Sequence, residues 1–288
     1  MSIIVLKLVI VIYNKEMIDS TTCSSIISAL ESDYNSHTEV PYRLDLTIWN
    51  NGPSSISDNL SYNHDLSSFF KYEIIQHNMN MPLSKAYNEV LNKPNSKCDY
   101  FVIFDDDTQI PVNYFTQICI YDKLYGKLFK VPIVQQNGKI VSPIKANHKK
   151  LDFVGPGLLA GNDFSFVGSG MIIPYNFLEI NKFDEAFNFY GIDHDISQTY
   201  LRDNVINIIP VILNHSLSTD FCDNKFPKFK VESLLFSTIY NGYKHGRKLS
   251  SSIRALKYCF RFIIRCKNIG YLTSFIRNYI FVYFVHKR

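Results

Sequence analysis

Apolar and polar positions fall into blocks of two kinds along most of this chain. Short apolar runs closed by turn residues read as buried strands, and longer blocks with apolar residues three and four apart read as helices. Leu8 to Tyr13 is a strand that ends in the polar turn Asn14-Lys15-Glu16, after which Asp19 or Ser20 can cap a helix carrying Ile26, Ile27 and Leu30. Leu44 to Trp49 is a second strand, stopped by the turn signature Asn50-Asn51-Gly52-Pro53, and Tyr72 to Gln76 is a third. Pro82 then opens a helix from Leu83 to Leu91, with Leu83, Ala86, Tyr87 and Val90 on one face. Tyr100 to Phe104 is a fourth strand, followed by a helix from about Val112 to Leu124. From Gly126 to Gly170 repeated glycines and prolines break every long pattern, so extended loops of functional character are expected there. Met171 to Ile173 is a short strand. A helix opens near Asp193 and runs to about Asp203, and Val205 to Leu213 is a last strand closed by Asn214 and His215.

Alternating β and α elements with short connections predict an α/β fold, a mostly parallel sheet flanked by helices. The length of 288 residues with 46% hydrophobic and 19% charged residues is enough for one full-sized domain and an appendage. Composition changes this picture at the C-terminal end. After Glu232 there are eleven Lys or Arg and no acid, whereas the residues before carry nineteen basic and twenty-six acidic groups. We therefore expect a main domain over residues 1–225 and a basic tail over 226–288, with the boundary near Asp220 to Lys230.

In the tail, Arg254, Lys257, Arg261 and Arg265 share one helical stripe, and Leu256, Phe260, Ile263 and Ile264 fall across from it. This is a C-terminal basic amphipathic helical tail, suited either to an anionic membrane surface or to packing on the main domain with its basic face in water. Its longest apolar run, Tyr279 to Val285, is too short to span a bilayer. No nucleic-acid-binding motif accompanies the charge, so nucleic acid is not expected as a partner. The six cysteines form no regular framework, and Ile3 to Ile12 is broken by Lys7 and lacks a cleavage site. The expected location is cytoplasmic, peripheral on the inner face of the plasma membrane.

The chemistry concentrates at the end of the fourth strand, where Asp105, Asp106 and Asp107 follow one another. Ligands of open α/β sheets bind outside the carboxyl ends of the strands. Side chains alternate along an extended backbone, so Asp105 and Asp107 can share a side that Asp106 leaves. Two hard oxygen ligands suit Mn²⁺ or Mg²⁺ completed by water and phosphate. The residues alone also allow a solvated acidic turn, at the cost of repulsion among three adjacent charges.

Five segments in order resemble family 2 glycosyltransferases of the GT-A fold over about residues 3 to 220: Leu8 to Asn14; Ile48 to Pro53; Asn80, Pro82, Ser84, Ala86 and Asn88; Asp105 to Asp107; and Gly168 to Met171 with Phe183-Asp184-Glu185 and Gly191 to Asp195. The resemblance implies a metal-dependent, inverting transfer of a sugar from a nucleotide donor, UDP- or dTDP-linked, to a lipid-linked saccharide, as in bacterial O-antigen synthesis. It implies nucleotide-sugar contacts at Tyr13, Asn14, Asn50, Asn51, Asn80, Ser84, Asn88, Asp105 and Asp106, and metal ligands at Asp105 and Asp107 with His215 as a further one. It implies acceptor contacts at Gly168, Ser169, Gly170 and His194. Asp193, which from the residues alone is a first-turn helix charge favoured by the macrodipole, becomes the general base. Asp195 remains such a charge.

Three positions depart from the family pattern. Asn50 stands where an Asp usually contacts the nucleobase, though an amide oxygen can still accept from a pyrimidine N3–H. Pro82 replaces a Gly, and Ile192 replaces the Glu of a Glu-Asp pair. A sugar nucleotidyltransferase would need a glycine-rich phosphate loop after the first strand, where Tyr13-Asn14-Lys15-Glu16 stands instead. A catalytically idle, membrane-bound sugar-binding component of a synthase is the other alternative.

Overall fold

The apolar runs pair into one large sheet. The computed structural model describes residues 3–36, 39–77, 79–93, 98–146, 151–161, 163–216 and 227–286. In chain order it holds β1 (Ile4–Ile12), α1 (Thr21–Ser36), β2 (Tyr42–Asn50), β3 (Phe70–Gln76), α2 (Leu83–Leu91), β4 (Tyr100–Asp105) and α3 (Tyr114–Tyr125). Six short strands follow: β5 (Lys130–Gln136), β6 (Lys139–Ser142), β7 (Ile144–Ala146), β8 (Leu151–Phe153), β9 (Gly157–Leu159) and β10 (Phe164–Ser165). Then come β11 (Met171–Pro174), α4 (Tyr175–Ile180), α5 (Ile192–Leu201), β12 (Ile206–Asn214), α6 (Lys228–Lys244), α7 (Lys248–Cys266) and α8 (Gly270–Val285).

The stretch from Gly126 to Gly170, expected as loops, thus contains strands. Pro132 shows how β5 accommodates its breaker. Val131 pairs with Ile208 and Ile133 with Ile212, so the proline sits where the register against β12 shifts and its missing N–H breaks no regular ladder.

The chain forms two compact units. The first comprises residues 1–81, 85–183 and 200–216, and the second residues 82–84, 184–199 and 217–288. Of the expected boundary from Asp220 to Lys230, residues 220–226 lie outside the described residues and Lys228 already opens α6. In the first unit the sheet order is β3-β2-β1-β4-β11-β5-β12-β9, with β6 on β5. β3, β2, β1 and β4 are parallel, β11 runs against both β4 and β5, and β12 is again parallel to β5. A β10-β7-β8 sheet lies apart from it. β1 is buried along nearly its whole length, as a strand covered on both faces requires. Gly170 holds β11 close: at φ +82 it leaves no room for a side chain, since a Cβ would lie 2.3 Å from Leu213.

The described cysteines Cys23, Cys98, Cys119, Cys259 and Cys266 are free, and Cys222 lies outside the described residues. Burial pushes the Cys98 and Cys119 thiols up to about 12, which leaves them inert.

In the second unit α6, α7 and α8 pack around Val231, Leu235, Ile239, Ala255, Cys259, Phe262, Tyr271 and Val282. Gly191 ends the loop before α5 at φ +91, and a Cβ there would meet Ser237 of α6 at 2.7 Å. Next to it Asp195 is buried and accepts from Lys244 Nζ at 2.9 Å and His245 Nε2 at 2.9 Å, while Lys244 also reaches Asp184 at 2.7 Å. Burial would raise the Asp184 carboxyl, but Lys244 and the Ala186 N–H outweigh it and hold it below 3.8. Its stabilisation is therefore present above 3.8 and lost as pH falls through the lowered value. Lys244, opposed by burial but held up by Asp195 and Asp184, sits above 10.5, so its share is present below 10.5 and lost as pH rises past it.

Breaking a buried pair costs about 3–5 kcal/mol when the other charge is left alone. His245 stays on Asp195 and Lys244 is partly exposed, so we expect Lys244→Met to cost about 1–3 kcal/mol, read as a lower urea midpoint at neutral pH.

Candidate active site

The parallel strands deliver their C-terminal ends to one edge of the first unit. Ile12 is level with Asn50, Asn50 with Gln76, and Val11 with Asp105. The turn after β4 then doubles back, and Gln109 pairs with Asn214 at the end of β12, its N–H donating to Asn214 O at 2.8 Å. This bridge brings His215, distant in sequence, onto the acidic turn.

His215 Nε2 lies 3.3 Å from Asp105 Oδ2, and Nδ1 lies 3.0 Å from Asp107 Oδ1. One ligand atom from each of the three residues falls within 4.8 Å of the others. Burial raises the Asp105 carboxyl; His215 opposes the shift, and Asp107 and Asp106 add to it. Burial pulls the His215 imidazole down, but the adjacent Asp107 carboxylate and the Asp105 and Asp106 charges outweigh that and hold it above 6.5.

The donor set suits a divalent cation. Two carboxylates and an imidazole are the hard and borderline ligands that Mn²⁺ accepts, and Mg²⁺ takes the carboxylates. Asp107 Oδ1 is buried and makes no well-formed hydrogen bond. The nearby Nδ1 of His215 also faces Thr108 Oγ1 at 3.0 Å. A ligand atom without a proper donor, inside a group of three, is what a cation would complete.

The turn is fixed from behind. Thr22 Oγ1 donates its one hydrogen to Asp105 O, with Thr108 O also near, and accepts from Thr108 N–H, and Ser20 Oγ donates to Asp106 O. Asp106 points to Lys15, with Nζ 3.1 Å from its Oδ2. Burial raises the Asp106 carboxyl and Lys15 opposes it. Asp105 and Asp107 thus share His215 while Asp106 leaves; because β4 ends at Asp105 and the next two residues lie in the turn, the turn and not strand alternation sets this arrangement.

In the second unit Asp193 and His194 occupy the first turn of α5. Asp193 Oδ1 accepts the His194 N–H at 2.8 Å. Burial, reinforced by His245, Arg247 and Arg254, lowers His194 to about 4, so its ring is neutral near pH 7.

No protein-family model matches the chain, and no curated protein sequence matches it. Solved structures do. Staphylococcus aureus TarS superposes with a TM-score of 0.56 at 11% identity over 96% of this chain. The chain has the GT-A fold. It spans 54% of that TarS chain and 89% of a TarS 1–349 fragment, which superposes with a TM-score of 0.52 at 13% identity. GalNAc-T7 with UDP, GalNAc and Mn²⁺ aligns with a TM-score of 0.49 at 12% identity, over 96% of this chain and 55% of that one.

Within this GT-A sheet the expected donor-side residues divide into two groups. Tyr13, Asn14 and Asn80 are exposed near the strand ends, Asn14 at a left-handed φ of 50. Asn50 and Asn51 are buried with their amides spent internally. Asn50 Oδ1 accepts from Gly52 N–H while its Nδ2 donates to Ser54 O and Gln76 Oε1. Asn51 Oδ1 accepts from Trp49 Nε1 and Met81 N–H, and its Nδ2 donates to Asn80 Oδ1 and Met81 O. Both side chains shape the turn, and the Asn50 oxygen that already accepts from Gly52 keeps a second lone pair.

Ser84 and Asn88 also make internal bonds. Both are buried; Ser84 Oγ donates to Phe187 O, and Asn88 pairs with both backbone groups of Phe183. Ser169 and Gly170, expected at an acceptor, lie behind the metal turn. Ser169 Oγ accepts the Asp105 N–H at 3.1 Å and meets Thr108 Oγ1 at 2.5 Å, while Gly168 O closes the turn by accepting from Met171 N–H.

Ser169, Thr108 and Thr22 are thus supports that pattern reading missed, because hydroxyls have no periodicity to reveal a long-range partner. Partners of this kind usually set metal affinity within a factor of about 10–100. We expect Ser169→Ala to weaken Mn²⁺ binding roughly tenfold by titration calorimetry with the circular dichroism spectrum unchanged.

Proposed function

We propose that this chain is an inverting, metal-dependent glycosyltransferase that moves a hexose or rhamnose from a UDP- or dTDP-sugar to a lipid-linked saccharide at the inner face of a membrane. Surface polysaccharide synthesis of the O-antigen kind is the setting. The observation that carries the reading is the Asp105, Asp107 and His215 group at the C-terminal edge of a GT-A sheet. A cation held by these three residues would supply charge relief for a diphosphate leaving group.

The chain's own groups supply the rest. Tyr13 and Asn80 offer an exposed ring and amide on the donor edge. Lys15 beside Asp106 adds a cation there. Asp193 accepts the acceptor hydroxyl proton, and with no second carboxylate needed as nucleophile the displacement inverts configuration. Ile192, where a Glu was expected, is buried in the second unit, so this position serves packing. Among the described residues no helix is long and apolar enough to cross a membrane, which fits attachment from one side.

Purified protein incubated with a panel of UDP- and dTDP-sugars should release nucleoside diphosphate only when Mn²⁺ or Mg²⁺ is present. Release from none of them, with or without a saccharide acceptor, would exclude the reading.

A further inference from the structure

α7 carries two apolar faces, and the bundle uses one. Ala255, Cys259 and Phe262 pack inward. The stripe that sequence periodicity marked as the apolar side is a different one. Phe260 is 51% and Ile264 76% exposed, and Leu249 at 76% and Ile253 at 46% extend the same line. At 100° per residue these four positions fall within about 60° of helix circumference, over a length of about 22 Å. Arg254, Lys257 and Arg261, also exposed, occupy the adjoining arc. The helix surface left after packing is therefore half apolar and half cationic, and neither α7 nor α8 contains an acid. α8 adds exposed Ile276, Ile280 and Phe284.

We propose that the outer face of α7 is an in-plane membrane contact. Leu249, Ile253, Phe260 and Ile264 enter below the headgroups of an anionic bilayer, and Arg254, Lys257 and Arg261 bind its phosphates. Charge complementarity selects this occupant: a second copy would bring the same cations together, whereas an anionic surface neutralises them while taking the apolar stripe out of water. This deepens the membrane reading above by naming the residues that make the contact, and it corrects the simple amphipathic picture. The packing face centres on Ala255, Cys259 and Phe262, and the stripe of Leu249, Ile253, Phe260 and Ile264 is left for lipid.

The full chain should be sedimented with vesicles of phosphatidylcholine alone and with a phosphatidylglycerol admixture. Native protein should bind the anionic vesicles only, and more weakly in high salt. Phe260→Ser with Ile264→Ser, and separately Arg254→Gln with Lys257→Gln and Arg261→Gln, should each weaken binding roughly ten- to hundredfold. All five side chains are exposed, and an unchanged melting temperature would show that the fold is kept. The Ile264→Trp variant should bind normally, and the fluorescence of its introduced indole should be quenched by brominated lipid. Failure of the native chain to bind, binding unaffected by both sets, or an unquenched indole in the bound Ile264→Trp variant would each overturn the assignment. So would native dimers that dissociate in the Phe260/Ile264 variant, because a second copy would then cover the face. None of these measurements needs donor, acceptor or metal, so transferase activity is decided separately.

Discussion

Replacing Asp107 by Asn should abolish the stabilisation that Mn²⁺ or Mg²⁺ gives this protein. A ligand that binds only the folded state stabilises it by about 2.7 kcal/mol at a hundred times its dissociation constant. For a domain of this size that is roughly 5–10 °C of melting temperature. Asp107→Asn keeps the shape of the side chain but takes the negative charge from one of the three candidate ligands. Its effect on the metal-free protein should be small, because relief of repulsion with Asp105 and Asp106 opposes loss of the His215 contact. The pH dependence follows from the same groups. Without metal, the His215 contribution is fully present below 6.5 and is lost as pH rises through its raised value; Asp105, also raised, changes in the same direction. A cation needs an ionised carboxylate and a neutral imidazole, so the metal-dependent rise should grow with pH over the range where metal-free stability falls. Thermal scans of both proteins with and without metal, from acid to mildly alkaline pH, check this. An equal metal response in Asp107→Asn would remove that residue from the cation site.

The residues that locate this site were readable because each sits at a strand end. A buried run closed by three acids fixes the edge, whereas the pairing of Asp105 with Asp107 comes from the turn that follows β4 and not from the alternation expected of an extended strand. His215 was readable for the same reason, following the last apolar strand. α2 was found with the bounds it has, since Pro82 and the Leu83, Ala86, Tyr87 and Val90 spacing leave little freedom. What escaped is what depends on long-range partners. Asn50 and Asn51 stand in a linear motif expected to meet a ligand, and the turn-closing bonds that their amides make were not readable from it. Ser169 meets Thr108 across sixty-one positions, and no local pattern anticipates that. The strands between Gly126 and Gly170 are short and interrupted, so their pairing comes from the sheet they join. α7 failed differently: its two apolar arcs are both visible in the sequence, but only the helices beside it determine which is packed.

Asp193→Asn should lower glycosyl transfer by roughly 10²- to 10⁴-fold, the usual range when a general base is lost, with donor affinity little changed. The substitution isolates one property. An Asn oxygen can still accept the His194 N–H that Asp193 Oδ1 accepts now, so the first turn of α5 keeps its shape while the group loses its capacity to take a proton. The stability cost should stay near the 0.3–1 kcal/mol of a first-turn charge. Asp195, two residues on, provides the contrast. It is buried against Lys244 and His245, and Asp195→Asn takes the charge from this buried contact and leaves Lys244 with Asp184 alone, so unfolding should shift to lower urea while the chemical step is spared. The two variants must therefore part in opposite directions, one losing turnover and the other stability. Activity is measured with the donor and acceptor identified by the nucleotide-sugar screen, and unfolding by urea titration. Near-native transfer by Asp193→Asn would place the base elsewhere, and loss of transfer in proportion to lost stability in both would make this end of α5 structural.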